Sequence, residues 1–157
     1  MSLNIRTARM SDLSILKSFE QGIVTAERPY DKTLKADPIS YYDIGEMILS
    51  NDSEVAVAES DGEILASGYV KRKRSLEYVV PDYHAFIGFL YVAPAYRGRG
   101  VNKLILNHLF DWARRNNLPD IHLTVYPENG SAVRAYEKVG FEPHLLEMRL
   151  NLDETAS

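Results

Sequence analysis

The chain has 157 residues, of which 45% are hydrophobic, a formal net charge of −4 and no cysteine. That length supports one packed core and leaves little room for two, and the missing thiols exclude a disulfide framework, a thiolate metal site and a cysteine nucleophile. The acidic balance gives no overall pull toward nucleic acid, no apolar run approaches the roughly 20 residues of a membrane helix, and the opening Met1-Ser-Leu-Asn-Ile-Arg6 has no apolar leader core, so a cytoplasmic protein without nucleic-acid or membrane partners is expected.

Leu3 to Ala8 alternates with period two and is expected to form a strand. Ser11 stands where a helix cap would, ahead of Ile15, Phe19 and Ile23 with Leu16 and Val24 at helical spacing. Ala26 to Ala36 is charged and broken by Pro29, which marks a loop. Asp37-Pro38 reads as a cap plus first-turn proline for a second helix, whose apolar face is Tyr41, Ile44, Met47 and Ile48. Glu54 to Glu59 and Glu63 to about Lys73 are strand-like runs joined by Asp61-Gly62, a strong hairpin signal. The basic cluster Lys71 to Arg74 reads either as a solvated strand end or as a contact for an anionic partner. Tyr83 to Val92 is the central strand, ending at Pro94. Val101, Leu104, Ile105, Leu109 and Trp112 form one face of a third helix, with Arg114 and Arg115 near its end, where cations suit the dipole. Asp120 to Tyr126 gives a further strand, Ser131 to Val139 a short helix stopped by Gly140, and Phe141 to Leu152 a final pair of strands. The chain is therefore expected to be a single α/β (α+β) domain over residues 1–152, in the order β-α-α-β-β-β-α-β-α-β-β, with 153–157 as a flexible tail.

The most informative junction follows the central strand, where Ala93-Pro-Ala-Tyr-Arg97-Gly98-Arg99-Gly100-Val101-Asn102 turns directly into the third helix. Amides at a helix start have no internal partner, glycines let a ligand approach the backbone, and two arginines add charge and forked donors, so this turn suits a phosphate. A dinucleotide fingerprint lacks its third glycine here and the opening β-α-β unit, and a Walker loop lacks Gly-Lys-Ser/Thr. A second stretch lies downstream, Asn129-Gly-Ser-Ala132-Val-Arg-Ala-Tyr136-Glu-Lys-Val-Gly140-Phe141.

Together the two stretches resemble the GNAT superfamily of acyl-CoA-dependent N-acyltransferases, whose motifs read Arg/Gln-x-x-Gly-x-Gly/Ala and Asn-x-x-Ala-x-x-x-Tyr-x-x-x-Gly-Phe. Arg97, Gly100, Asn129, Ala132, Tyr136, Gly140 and Phe141 match, while Asn102 stands where the family usually has Gly or Ala. The resemblance implies a mixed, mostly antiparallel sheet splayed between its fourth and fifth strands, and acetyl-CoA as co-substrate. It places the pantetheine arm along Leu90, Tyr91 and Val92, and the pyrophosphate on Arg97, Gly98, Arg99, Gly100, Val101 and Asn102, whose side chain would crowd the phosphate or donate to it. Donors near Leu90 would stabilise the tetrahedral oxyanion, and Gly88 suits a bulge or a close approach.

Tyr136 is the candidate general acid: its phenol is protonated at neutral pH and can donate to the departing thiolate. The alternative is a tyrosine that only packs. Asn129, two helical turns earlier, contacts CoA or caps the helix. The family often carries a basic carboxylate on the central strand, but Ala85-Phe86-Ile87 has none. His84, sharing a face with Phe86, Gly88 and Leu90 by period two, is one candidate base. Glu27, with Asp31, is another, in the loop that lines the acceptor site in this family; a satisfied histidine and plain surface charge are the alternatives. His108 reads as packing, and it makes no metal-ligand pattern with His122 and His144. The expected function is acetyl transfer to a primary amine by direct attack in a ternary complex. The mixed charges of the first loop, Glu27 and Asp31 against Arg28, Lys32 and Lys35, suit a small amine or amino-acid-like zwitterion. Protein or peptide N-acetylation and a non-catalytic CoA-binding regulatory module are the alternatives, and a homodimer is common in the family.

Overall fold

A computed structural model describes residues 2–154, and the chain forms two compact units, Met1–Thr124 and Val125–Ser157. The first is built on a five-stranded sheet of β1 (Asn4–Thr7), β2 (Ser53–Ser60), β3 (Glu63–Arg74), β4 (Tyr83–Val92) and β5 (Ile121–His122), paired in that order. All pairs are antiparallel except β4 with β5, a parallel pair that requires a crossover. Helix α3 (Val101–Arg115) supplies it. At the β2–β3 hairpin Asp61 and Gly62 both take positive φ, 51° and 78°, the turn whose twist matches that of the strands.

Helices α1 (Leu13–Glu27) and α2 (Ile44–Leu49) cover one face, where Leu16, Phe19 and Ile44 pack on Val55, Val57, Tyr69 and Phe89. Helix α3 covers the other and comes very close to β3: a Cβ on Gly68 would lie 2.7 Å from Ile105 and 3.1 Å from Leu109. These two contacts define the layers that position β4.

Three boundaries differ from the sequence expectation, the first two through a competing hydrogen-bond partner. The start of α1 is organised by Asp12 and not Ser11, since the Asp12 carboxylate accepts from the Arg9 amide at 2.8 Å and pairs with Arg6 at 2.9 Å. Asp37-Pro38 stays in the loop, with Asp37 paired to Arg28 at 2.6 Å, and α2 begins only at Ile44, capped by Asp43, which accepts from the Glu46 amide at 3.1 Å. The delay has a local cause. Glu20 of α1 is 3% exposed and its carboxylate accepts from the amides of both Tyr41 and Tyr42 at 2.8 Å, so these donors serve a side chain and not a helix. Finally β5 is two residues long and not seven, because its ladder covers only Ala85 and Phe86 of β4.

The second unit holds α4 (Gly130–Val139), ended by Gly140 at φ 114°. Leu146, Met148, Leu150 and Leu152 alternate as a strand would, yet residues 141–150 form no ladder among the described residues; alternation marks a strand face, but only a paired partner makes the strand. Of the expected tail, Asp153 and Glu154 lie in a turn, the Glu154 amide donating to the Asn151 carbonyl at 3.2 Å, and 155–157 lie outside the described residues. No helix of the described residues is long and apolar enough to cross a membrane.

The Glu20 clamp leads to a direct expectation. Glu20→Ala leaves the part-buried amides of Tyr41 and Tyr42 without an acceptor, and charged hydrogen bonds of this kind are worth about 1.5–3 kcal/mol each. Urea denaturation should show a loss of roughly 3 kcal/mol with an unchanged slope, and a loss below roughly 0.5 kcal/mol would show that the clamp is not needed.

Candidate active site

The site is organised by an irregularity in β4. Ser67 faces Tyr91 and Tyr69 faces Gly88, so Phe89 and Leu90 together oppose the single residue Gly68. This is a β-bulge, and it leaves one residue out of the ladder. Phe89 sits at φ 57°, a left-handed conformation that costs a non-glycine residue about 1–2 kcal/mol. Burial offsets it: Phe89 is 2% exposed and its ring lies 5.3 Å from that of Tyr42, worth about 1.5–3 kcal/mol. The Phe89 carbonyl accepts from the buried Ser67 hydroxyl at 3.2 Å.

The bulge also shifts the phase of the strand. Phe86 and Gly88 face the α1/α2 layer, and Tyr69 fills the space in front of Gly88, where a Cβ would lie 2.7 Å from the Tyr69 hydroxyl. Beyond the bulge Tyr91 takes that face, stacked on Phe19 at 4.6 Å, whereas Leu90 turns to Gly68 and the α3 layer. The expectation that His84, Phe86, Gly88 and Leu90 share one face therefore fails at Leu90, because the inserted residue breaks the period of two. On its other edge β4 pairs with β5 only at Ala85 and Phe86. From Ile87 to Val92 no strand of the described residues covers that edge, leaving main-chain groups able to pair with an extended amide chain.

The open edge runs into the turn before α3. Arg97 Nε donates to the Val92 carbonyl at 2.8 Å, fixing the turn to the strand end, and its guanidinium lies 5.6 Å from the Tyr91 ring. Gly98 and Gly100 have φ 77° and 78°, and a Cβ on either would meet nothing within 4 Å. Glycine is needed there for backbone hand, and the space before it is open. No side chain caps the start of α3, so Val101 and Asn102 stand where a helix of 15 residues presents its unpaired N–H groups. Donors, dipole and two arginines fit a pyrophosphate.

On the α1/α2 face a cavity of about 380 Å³ is lined by Tyr41, Tyr42 and Tyr69. Tyr42 lies 5.3 Å from both Tyr69 and Phe89, which joins the cavity wall to the bulge. Burial pushes the Tyr42 and Tyr69 hydroxyls above the usual phenol range, so both stay protonated. Asp43 and Glu46 of α2 line the cavity on one side and Lys71 of β3 on another. At Glu27, the last residue of α1, burial raises the carboxyl pKa, the Tyr41 hydroxyl opposes this, and Asp31 adds to it. Asp31 itself accepts from the Thr33 amide at 2.9 Å, and Arg28 pairs with Asp37.

His84 is buried, with Nδ1 2.8 Å from the Ser75 hydroxyl and its ring stacked on His122. His108, read as packing, places Nε2 2.8 Å from the Glu54 carboxylate. In the second unit Asn129 caps α4, its side-chain oxygen accepting from the Ala132 amide at 3.3 Å, and the Tyr136 ring lies edge-on to Phe141 at 6.0 Å.

A model of the Acetyltransferase (GNAT) family matches residues 20–141. The chain belongs to the GNAT acetyltransferase family. Acetyl-CoA is the co-substrate of that family. Among curated relatives, an acetyltransferase of Pectobacterium atrosepticum is 32% identical over 98 residues, 60% of this chain and 62% of the relative; the matched stretch spans less than two thirds of the curated relatives it resembles. The GNAT fold recurs in solved structures. A predicted acetyltransferase of Clostridium acetobutylicum with acetyl-CoA aligns over 99% of this chain and 100% of its own, at TM-score 0.75 and 22% identity. The aminoglycoside N-acetyltransferase AAC(6')-Iy in complex with CoA aligns over 94% and 99%, at TM-score 0.71 and 16% identity.

Within the first unit Leu90, Tyr91 and Val92 run directly into the turn from Arg97 to Asn102, which the Arg97 bond to Val92 ties to the strand end. Glu20, Tyr42 and Tyr69 escaped the sequence reading; Gly88 opposite an aromatic residue was the available clue to Tyr69. If this turn holds the phosphates, replacing Arg97 and Arg99 together by alanine should weaken acetyl-CoA binding by roughly tenfold or more, the scale of one charged hydrogen bond. Isothermal titration checks this, and an unchanged affinity would remove the turn from that role.

Proposed function

We propose that the protein is an acetyl-CoA-dependent N-acetyltransferase that acetylates a small, amino-acid-like primary amine by direct attack in a ternary complex. The observation that carries this reading is the coincidence at one point of β4 of a bulge, an uncovered strand edge and the wall of an aromatic, charged cavity. The edge would receive the amide-bearing arm of the co-substrate, and a main-chain donor freed at the bulge would stabilise charge on the thioester oxygen. The amine would enter from the cavity.

Each chain residue has one task in this mechanism. Glu27, whose burial favours proton uptake, accepts the proton of the ammonium. The neutral amine attacks the acetyl carbonyl, and collapse of the tetrahedral species breaks the carbon–sulfur bond. Tyr136 donates its phenolic proton to the leaving thiolate, and the second proton that the nitrogen sheds as the amide forms returns the phenolate to phenol. His84, held by Ser75 and His122, serves position in this reading. The cavity supports an acceptor of both signs: Asp43 and Glu46 suit a second ammonium or polar group, and Lys71 a carboxylate. Streptothricin acetyltransferase, a curated relative, and the aminoglycoside N-acetyltransferase, a structural neighbour, are named for small molecules, which supports a small-molecule acceptor over a protein one. A cytoplasmic setting, where acetyl-CoA is available, fits this activity.

A screen of amines, amino acids and peptides that follows CoA release tests the acceptor class, with zwitterionic amines expected to lead. Preference for bulky polycations or for protein termini would contradict it. Tyr136→Phe should lower kcat by about 10²–10⁴-fold with acetyl-CoA affinity nearly unchanged, and a thioester with a more acidic leaving thiol should restore it selectively; near-normal turnover would leave Tyr136 a packing residue.

The base makes a separate prediction. Glu27 must be ionised to act, and its folded pKa is raised, so kcat at saturating acetyl-CoA should climb with pH through a midpoint above the ordinary glutamate value of about 4.3. Glu27→Gln should abolish that limb and lower kcat by about 10²-fold or more. A limb that persists in the variant would assign the proton to another group.

A further inference from the structure

The seam between β4 and β5 is held by two residue pairs, Ala85 with Ile121 and Phe86 with His122, and by the Ala85 amide donating to the Asp120 carbonyl at 2.9 Å. At this seam two imidazoles meet face to face. The rings of His84 and His122 have centroids 3.7 Å apart and planes inclined by 21°. His84 is 6% exposed and His122 is partly buried. Each has its own anchor: Nδ1 of His84 lies 2.8 Å from the Ser75 hydroxyl, and Nε2 of His122 lies 3.1 Å from the Asp120 carboxylate.

The charged groups facing this pair come from two directions. Lys73 of β3 stands opposite His84 in the ladder, its ammonium 4.5 Å from the Phe86 ring centroid, and Asp120 approaches from the segment that enters β5. A stack of neutral rings is favourable, and one imidazolium over a neutral ring is favourable too, with Asp120 at hand as counter-ion. Two imidazoliums are different. They would place like charges at contact distance, with Lys73 as a third cation and one carboxylate among them. Burial, His122 and Lys73 all disfavour the proton on His84, and only Asp120 favours it.

We propose that the His84–His122 stack is a proton-sensitive clasp on the β4–β5 seam, holding β5 beside β4 until both rings are protonated and then releasing it. The two histidines are thus positioning residues. β5 pairs with β4 immediately before its uncovered edge, so opening the seam would remove the fixed end of the slot assigned above to the arm of acetyl-CoA, and the inference rests on that assignment. With a seam of two residue pairs, local opening needs little disruption of backbone pairing. Mild acid would then weaken co-substrate binding while leaving the rest of the sheet in place.

Isothermal titration of acetyl-CoA into the protein and into His122→Phe, from about pH 7.5 to about pH 5.5, tests the clasp. Phenylalanine keeps the stack and cannot take a proton. The affinity of the unaltered protein should fall by roughly tenfold or more beyond that of the variant, the effect of about one unit of proton coupling. Ionisation of the ligand's own phosphates is common to both and cancels in the comparison. Equal pH dependence in the two proteins would overturn the proposal. Should the variant fail to fold, proton NMR of the unaltered protein decides: the His84 ring resonances should titrate below the ordinary histidine value of about 6.5, and titration at or above that value would overturn the clasp. Absence of acetyl-CoA binding at about pH 7.5 would instead strike the slot assignment, on which the NMR result does not depend.

Discussion

The extra residue in β4 is the constraint on which the rest of the site depends. Two residues facing Gly68 force Phe89 into a left-handed conformation, and that conformation persists only because the phenyl ring is buried against Tyr42 and its carbonyl is met by Ser67. The consequence is a strand with two phases. Its first half sends Phe86 and Gly88 to the α1/α2 layer, and its second half sends Tyr91 there. Without the bulge, Leu90 would intrude on the aromatic face and Tyr91 would lose Phe19.

Each neighbouring element then has a reason to be where it is. Tyr91 packs on Phe19 because Gly22 of α1 leaves room, a Cβ there lying 2.7 Å from the tyrosine ring. Tyr42 reaches Phe89 because Glu20 takes the amides of residues 41 and 42 and holds the segment before α2 against the sheet. α3 can approach β3 closely because Gly68 has no side chain, and the same glycine is the residue the bulge faces. Cavity, bulge and the Arg97–Asn102 turn are thus coupled through main-chain geometry, a few buried aromatic rings and the buried Glu20 carboxylate.

Much of this was legible in the chain, and the division has a physical basis. Local signals were read well: Asp61-Gly62 set the hairpin, Gly140 stopped α4, and the apolar face of α3 appeared in its period at Val101, Ile105, Leu109 and Trp112, although Leu104 is exposed and Leu106 is buried in its stead. The Arg97 to Asn102 turn was legible as a strand-to-helix junction because its glycines and the helix start lie in consecutive residues. What escaped depended on partners distant in sequence. Glu20 meets Tyr41 and Tyr42 across 21 and 22 residues, His84 meets His122, and Ser11 lost its cap to an aspartate whose role depends on Arg6. The bulge itself is invisible to a period-two reading, which assumes the regularity that the bulge breaks. The alternating leucines after Leu145 were read as strand on pattern alone, although pairing, not pattern, makes a strand.

The account stands or falls on whether the thioester carbonyl meets a main-chain donor at the bulge of β4. Difference infrared spectroscopy of acetyl-CoA labelled with ¹³C at the thioester carbonyl, bound to the unaltered protein, reads that contact directly. The account predicts a carbonyl band moved to lower frequency than in free acetyl-CoA and narrowed by a single environment. A bound ligand whose carbonyl band keeps its solution position and width would contradict it.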